Sequence, residues 1–310
     1  MTVAAALSKI SLFFCAAAMI ASCSHNEKKL DPENPPPEEM TLTDEQEYFL
    51  GRQVAADLLA RFPPVNAPFN KYSTTLARYL AQFSKRPTTF KGYRAQLIQS
   101  SGKSALSTPG GFIFISQPLL KALDNEDELA GVIAHEISHV VLRHGELAMN
   151  RSAEAKKNSE KTAKGLKAAA NVLGGLAGST GNSGLAATAQ SAEVASLAYD
   201  NGAGKIHEQL LKSGYSQDQE YAADAMALRI LLDAGYDPKH FGRFLGRTFS
   251  SEERIKKKGL VGGTLLSTHP LDEKRVDRIN KIIKGWRPGP ASQKRLLRFQ
   301  HIKDASLPHQ

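Results

Sequence analysis

The sequence contains few of the residues that form covalent links. Cysteine, the residue that forms disulfides, occurs only twice among 310 residues, as Cys15 and Cys23. Tryptophan occurs once. Both cysteines lie near the N-terminus, so residues 24–310 can form no internal disulfide and offer no thiol nucleophile. This scarcity excludes a disulfide-stabilised scaffold and a cysteine mechanism. A chain of this length can bury a full hydrophobic core without such links, and we expect one main domain.

Long apolar runs are also scarce, which argues against an integral membrane protein. An apolar run, Ile10–Ile20, follows Lys9 and is too short to cross a bilayer comfortably, as is typical of a signal peptide. The next residues, Ile20-Ala21-Ser22-Cys23, have the pattern of a bacterial lipobox, which predicts cleavage before Cys23 and lipid on its sulfur. Ser24 rather than aspartate follows, which favours delivery to the outer membrane in Gram-negative bacteria. An ordinary secretory signal peptide is the alternative.

Composition divides the chain into four parts. Residues 1–22 are the predicted signal peptide, and residues 23–40 form an acidic, proline-rich linker. Residues 41–285 have the periodic patterns of the main domain, and residues 286–310 are predicted to be a basic tail. Within the main domain, residues 161–204 are rich in alanine, glycine and serine, which predicts either a mobile lid or a disordered insert.

Positive charge exceeds negative charge, and the formal net charge is +9. The excess is concentrated late, in Lys274–Lys303. A solvated basic tail is the simpler prediction there, and contact with anionic lipid or lipopolysaccharide is the alternative. An export signal without a nucleic-acid-binding motif argues against a nucleic-acid partner.

The most informative stretch is His135-Glu136-Ile137-Ser138-His139, a His-Glu-x-x-His motif inside an apolar-periodic segment. Residues four apart lie on the same face of a helix, so His135 and His139 can hold one zinc ion. Glu136 would then lie beside a metal-bound water and could take its proton. The spacing therefore predicts metal-assisted hydrolysis.

The segment that carries the motif has its own helix signals. Asn125 is a candidate N-cap with Glu128 as its capping-box partner, and Gly145 is a candidate residue for the C-terminal turn. The predicted helix runs from Asn125 to His144. Five residues beyond His139 is about 140° round a helix, so we expect His144 to be structural and not a ligand.

A third ligand is predicted on a later helix. Ser216 is its candidate N-cap with Gln219 as capping-box partner, and Gly235 is expected near its end. Glu220 and Asp224 are four residues apart and share a face of this helix. Glu220 can bind the zinc, and Asp224 can accept a hydrogen bond from the outer nitrogen of a zinc-bound histidine.

The remaining periodicities predict an α+β fold that is mainly helical, with a small β-sheet and an active-site helix that carries the motif. Thr43 is a candidate N-cap for a helix to about Arg61, and a second helix is expected at Pro68–Phe83. Alternating apolar residues predict strands at Tyr93–Ile98 and Phe112–Ile115.

These residues resemble the CAAX-prenyl-endopeptidase and HtpX-like family of gluzincin metallopeptidases, and within it the periplasmic lipoprotein branch of LoiP- and BepA-like proteases. The resemblance covers about Thr41–Ile283. The stretch at residues 108–115 is similar to the family's Pro-Gly-Gly turn and strand, and residues 139–144 to the usual continuation of the motif. Residues 267–270, followed by Arg275, are similar to the family's His-Pro segment.

The resemblance implies a role for each matching residue. His135, His139 and Glu220 are implied zinc ligands, Glu136 the general base, and Asp224 the partner of a zinc-bound histidine. The family's sheet has an edge strand beside the cleft, where extended substrate adds by backbone pairing. The candidates for that strand are Phe112, Ile113, Phe114 and Ile115.

The His-Pro segment supplies two further candidates. His269 matches a histidine that in BepA-like members can occupy the fourth zinc position and hold the enzyme inactive; a simple loop histidine is the alternative. His269 or Arg275 is also a candidate for stabilising the oxyanion or gating the site. The residues after 285 are expected to be too few for the long helical-repeat domain of BepA-like members, which favours the shorter LoiP-like arrangement.

The expected function is that of a zinc endopeptidase, with one Zn²⁺ per chain, that hydrolyses misfolded or unassembled envelope proteins. The expected location is the periplasmic face of the Gram-negative outer membrane, anchored through acylated Cys23. Expected partners are those substrates, outer-membrane lipid and other envelope assembly proteins. A periplasmic chaperone or outer-membrane assembly factor on the same scaffold is the alternative. Glu136 favours the enzyme, because a purely structural metal site needs no base.

Overall fold

The computed structural model describes residues 42–147, 214–257, 269, 273–286 and 293–307. The helices in these ranges are α1 (Asp44–Arg61), α2 (Pro68–Ala81), α3 (Gln117–Ala122), α4 (Glu126–Val141), α5 (Gln217–Asp233), α6 (Pro238–Lys257), α7 (Glu273–Ile283) and α8 (Gln293–Asp304). The strands are β1 (Arg94–Ile98), β2 (Ala105–Thr108) and β3 (Phe112–Ser116). The predicted α+β class is confirmed.

Some predictions fall on other parts of the chain. The signal peptide, Cys23, the acidic linker and the segment at residues 161–204 lie outside the described residues. Among the helices that the structure describes, none has both the length and the apolar composition needed to cross a membrane.

The sheet has the strand order β1-β3-β2, so β3 is its central strand. β1 pairs with β3 in parallel, with Arg94 opposite Phe112, and β2 pairs with β3 antiparallel, with Ala105 opposite Ile115. The prediction that Phe112–Ile115 forms the edge strand is therefore wrong. The turn at Pro109–Gly111 folds β2 back along one side of β3, while β1 occupies the other side. The edge strand beside the motif helix is β2, because the Ser107 hydroxyl donates to the Glu136 carbonyl at 3.1 Å.

Helix α1 packs closely against the Pro109–Gly111 turn. Its predicted N-cap is confirmed, since Thr43 and Gln46 form a complete capping box. The buried Glu47 carboxylate accepts a hydrogen bond from the Gly110 backbone at 2.9 Å. A Cβ at Gly51 would lie 1.7 Å from the Pro109 carbonyl oxygen, so only glycine permits this approach. The contact secures the turn that joins β2 to β3.

Helix α4 is the centre of the core, and every residue from Glu126 to Val140 is buried. Asn125 is its N-cap, as predicted, and accepts from the Glu128 backbone. Glu128 does not complete a capping box: its side chain accepts from Asp124 and forms two hydrogen bonds with Arg247 at 2.8 and 2.9 Å. An ion pair with the distant Arg247 therefore takes the place of the local hydrogen bond that would complete a capping box.

The C-terminal end of α4 differs from the prediction. The helix ends at Val141, and Arg143 adopts a left-handed backbone conformation with φ 52°, so the prediction for Gly145 is wrong. The Arg143 guanidinium donates to the Leu42 carbonyl at 2.9 Å and pairs with Glu146. These contacts offset the cost of a left-handed arginine, which sequence periodicity does not reveal.

The prediction of a solvated tail at residues 286–310 is also wrong for the part that the structure describes. Helix α8 lies in this range and places Phe299 fully in the hydrophobic core. Arg298 pairs with the buried Glu126, and the Ser306 hydroxyl accepts from the Phe69 backbone at 3.1 Å. The main domain therefore extends to about residue 307, beyond the predicted boundary at 285.

Candidate metal site

Helix α4 presents both histidines of the motif to one point. His135 and His139 are almost fully buried, and their Nε2 atoms lie 3.1 Å apart. The helical spacing of four residues produces this approach, as predicted. Two imidazole nitrogens at this distance share one small space, which a metal ion can occupy.

Helix α5 adds a carboxylate to the same point. The predicted capping box of Ser216 and Gln219 is present, and the helix ends at Asp233 with Gly235 at φ 77°. The Glu220 carboxylate is fully buried, with Oε2 3.3 Å from His135 Nε2 and Oε1 3.5 Å from His139 Nε2. The two helices thus provide two imidazoles and one carboxylate.

His269 supplies a fourth group. Its Nδ1 lies 3.3 Å from His135 Nε2 and 2.9 Å from Glu220 Oε1. Ligand atoms of His135, His139, Glu220 and His269 all lie within 4.8 Å of one another, and all four residues are buried. Two ligand atoms that each lie about 2.0 Å from a tetrahedral zinc are about 3.3 Å apart. The observed separations match that value.

The outer nitrogens of the two motif histidines face different partners. His135 Nδ1 lies 3.0 Å from Asp224 Oδ1, which is the partner predicted for a zinc-bound histidine. His139 Nδ1 lies 2.8 Å from Nδ1 of His144. The Tyr215 ring also stacks on His139, with 3.9 Å between the ring centroids and 18° between the planes. Both rings of the motif are therefore fixed in orientation.

Arg275 of α7 neutralises the carboxylates of α5. Its Nε and Nη2 donate to Asp224 at 2.9 Å each, and its Nη1 lies 2.6 Å from Glu220 Oε2. Burial would raise the pKa of Glu220, but Arg275 and His269 hold it well below its ordinary value. Asp224 is affected in the same way, by Arg275 and His135, and its pKa is lowered. Both groups are thus carboxylates in the folded protein.

Charge balance in the cluster requires a further cation. Three buried carboxylates, those of Glu136, Glu220 and Asp224, lie around one guanidinium, so negative charge is in excess in a region from which water is largely excluded. Burial lowers the pKa of His135, but contact with Asp224 and Glu220 raises it to about 9, whereas burial keeps that of His139 well below its ordinary value. A proton on His135 would offset part of this charge when no metal is bound. A zinc ion among these donors compensates it as well, and three histidine nitrogens with a carboxylate are ligands that zinc prefers.

Glu136 lies beside this cluster and is 1% exposed. Its Oε1 is 3.3 Å from His269 Nε2, and its Oε2 is buried without a hydrogen-bond partner among the described residues. The cavity next to His135, Glu136 and His269 has a volume of only about 20 Å³. The site is therefore closed to a peptide in this structure.

The structure brings seven of the predicted site residues together: His135, Glu136, His139, Glu220, Asp224, His269 and Arg275. It does not place the central strand Phe112–Ile115 at the edge beside them. Sequence reasoning missed Tyr215 and the contact made by His144. Tyr215 could have been noticed because it directly precedes Ser216, the N-cap of the helix that presents Glu220.

A buried His-Glu-x-x-His helix with a glutamate from a second helix defines a metallopeptidase of the gluzincin class. The chain belongs to Peptidase family M48, whose sequence model matches residues 69–283. Zinc is the metal of this family, and the four-residue cluster provides one site for it.

Relatives with known names support this assignment. The chain is 27% identical over 254 residues to the Beta-barrel assembly-enhancing protease of Yersinia pestis, covering 81% of this chain and 47% of that protein. It is 25% identical over 242 residues to Metalloprotease LoiP of Escherichia coli, covering 77% and 81%. It is 27% identical over 193 residues to Mitochondrial metalloendopeptidase OMA1 of Saccharomyces cerevisiae, covering 61% and 45%. The chain thus spans less than half of the Yersinia pestis relative.

Proposed function

We propose that this protein is a zinc-dependent endopeptidase that hydrolyses misfolded or unassembled proteins of the bacterial cell envelope. The observation that carries the proposal is the position of Glu136, a buried carboxylate beside a four-donor metal site. The names of the relatives, a beta-barrel assembly-enhancing protease and LoiP, support a substrate in the envelope.

The proposed chemistry divides between the metal and the chain. Bound zinc would polarise the scissile carbonyl and lower the pKa of water. His135, His139 and Glu220 would hold the ion, with Asp224 fixing the His135 ring. Glu136 would take the proton of the attacking water and pass it to the leaving amine. The unpartnered Oε2 of Glu136 supports this role, because it can accept a proton without losing a hydrogen bond.

His269 would control access to the site. It occupies the fourth position around the metal-binding point and contacts Glu136 with its other nitrogen. A peptide cannot enter while His269 lies there, since the neighbouring cavity holds about 20 Å³, which is room for about one water. We therefore propose that this arrangement is closed to substrate, and we expect His269 to leave when substrate binds. Arg275 is paired with the carboxylates of Glu220 and Asp224. It would therefore position these two residues at the metal site and would not stabilise the oxyanion.

The substrate would lie along β2 and not along β3. β2 is the edge strand whose Ser107 contacts the backbone of Glu136. Its residues are buried in this structure, so pairing with an extended substrate requires the same opening that removes His269.

The test compares three full-length proteins: wild type, Glu136→Gln and His269→Ala. Each is measured for zinc content by mass spectrometry and for cleavage of unfolded casein. We expect all three to bind one zinc, Glu136→Gln to be inactive, and His269→Ala to cleave faster than wild type. If zinc is bound and neither wild type nor His269→Ala cleaves casein, the peptidase proposal fails. Suppression of casein aggregation by all three would then favour the chaperone.

The envelope anchor is a separate part of the proposal. Cys23 is the proposed lipidation site, and outer-membrane lipid would be its partner. Metabolic labelling with a palmitate analogue should mark wild type and not Cys23→Ala. Labelling of neither protein, or of both, would show that Cys23 is not the anchor. Fractionation of labelled cells distinguishes the outer from the inner membrane.

A further inference from the structure

A groove between α1 and α2 lies away from the metal site. It has a volume of about 700 Å³ and is lined by residues of β1 and β3 as well as by the two helices; β1 is the edge strand opposite β2. The metal ligands are on α4 and α5 or near α7, and none of them lines this groove. Its size is within the range of about 300–1,000 Å³ that is usual for ligand sites.

Four cations line the groove: Arg52, Lys71, Arg78 and Arg94. All four are exposed, and the lining contains no aspartate or glutamate. Among the described residues, none of the four forms an ion pair with a carboxylate. Arg78 donates to the Tyr93 carbonyl at 3.0 Å, and Arg94 lies over the rings of Tyr48 and Phe112. Within the described part of the chain, no carboxylate therefore compensates the positive charge of the groove.

A second groove of about 700 Å³, between α2 and α8, shows the contrast. Its arginines are neutralised, because Arg298 pairs with Glu126 and Arg295 lies 3.5 Å from Asp127. The two grooves thus have similar volumes but differ in charge. Lys71 lines both grooves, so the excess of positive charge that distinguishes the groove beside α1 comes from Arg52, Arg78 and Arg94.

The groove offers charge and apolar surface and few free hydrogen-bonding groups. Asn70 is engaged with Val65 and Leu97, and Thr74 with Ala95. The Phe112 ring is half-buried at the wall, and Phe49 nearby is exposed beneath Arg52. Such a surface suits carboxylate side chains spaced along an extended chain. A bilayer presents a flat surface, which fits a concave groove poorly.

We propose that this groove is a docking site for an extended acidic segment of another polypeptide. One wall of the site is α1, which precedes residue 69 and so lies outside the part that matches the family model. Docking at the opposite edge of the sheet would hold a bound protein near the enzyme without occupying the metal site. The proposal does not depend on cleavage.

The test uses the full chain with Glu136→Gln in every arm, so that the probe is not cut. The probe is a fluorescein-labelled peptide of alternating glutamate and alanine, and its counterpart has lysine in place of glutamate. The groove variant is Arg52→Glu with Arg94→Glu, because Lys71 also lines the groove between α2 and α8. The matched control, Lys121→Glu with Arg243→Glu, changes the net charge equally at exposed positions outside the groove.

Fluorescence anisotropy should show that the acidic peptide binds, that added salt weakens it, and that the lysine peptide does not bind. The groove variant should weaken binding by about tenfold or more, and the control by less than about twofold. Equal weakening by both variants, or no binding of the acidic peptide, would overturn the proposal. Vesicles of phosphatidylcholine and phosphatidylglycerol in equal amounts test the other partner. Loss of vesicle binding in the groove variant, with peptide binding unchanged, would also overturn it.

Discussion

His144 Nδ1 lies 2.8 Å from His139 Nδ1, on the side of the His139 ring opposite the metal-binding nitrogen. A metal ligand must present a lone pair, so the proton of a neutral His139 belongs on Nδ1. His139 therefore donates to His144, and the proton of a neutral His144 belongs on its Nε2. This hydrogen bond therefore fixes the tautomer of both rings.

Removal of this acceptor should weaken zinc binding. His144→Leu keeps an apolar side chain in the buried position but cannot accept from His139, and we expect about 10–100-fold lower zinc affinity. His144→Asn has a carbonyl oxygen that can accept and should retain more affinity. Competition with a chelating dye measures both variants, and circular dichroism checks their folding. Equal zinc affinity in His144→Leu and wild type would contradict the proposed orientation.

Arg275 should matter most in the metal-free protein. Arg275→Ala leaves the carboxylates of Glu220 and Asp224 buried without their cation, and the free energy of unfolding should fall by about 3–5 kcal/mol. Zinc should restore part of this loss, because its positive charge would compensate the negative charge of the Glu220 carboxylate. Denaturant unfolding with and without zinc is the measurement. The control is Arg278→Ala. Arg278 is an exposed arginine on the same helix as Arg275, and it lies over the ring of Tyr221. Its loss should lower the free energy of unfolding by no more than about 1 kcal/mol.

Gly131 allows α4 to approach α6. A Cβ there would lie 2.5 Å from the ring of the buried Phe241, so Gly131→Ala should destabilise the protein by about 1–3 kcal/mol. Gly246→Ala on α6 is the control, because its nearest neighbour would be Val276 at 3.9 Å. Helix propensity should make that variant more stable by about 0.5–1 kcal/mol. Thermal unfolding of the two variants should move in opposite directions.

Glu146 should make stability depend on pH. Burial, with a further contribution from Glu47, raises its pKa to about 7, against the pull of Arg143 in the other direction. A carboxyl whose pKa is raised on folding favours the folded state below its unfolded pKa of 4.5, and this contribution is lost as pH rises through 7. The loss amounts to about 3 kcal/mol. Glu146→Gln does not titrate, so its stability should fall less than that of wild type between pH 5 and pH 8. Parallel pH profiles would contradict this.

Local signals in the sequence predicted helix starts and ligand spacing well, but not the capping box at Glu128 or the helix end at Gly145. The N-caps Thr43 and Ser216, the capping box of Ser216 and the turn at Gly235 depend on residues within one helical turn, and all are present. The spacing of His135 and His139 also follows from helix geometry alone. These features required no knowledge of which elements pack together.

The errors concern contacts between distant residues. Whether Phe112–Ile115 is a central or an edge strand depends on which strands pair with it. The residues of one strand do not by themselves determine that pairing. Phe299 packs in the core from a segment whose many cations resemble a solvated tail. His144 lies outside the four-residue metal cluster, in line with the prediction that it is not a ligand. Its contact with His139 could not be predicted, because α4 ends at Val141 and the left-handed Arg143 redirects the chain behind His139.

The contact of α1 with the Pro109–Gly111 turn bears on how the protein can be shortened. A version starting at residue 69, where the family match begins, would lack Glu47 and Gly51. It would also uncover the small apolar cluster of α1 with Leu106 and Phe114. The minimal autonomous folding unit therefore begins no later than Thr43.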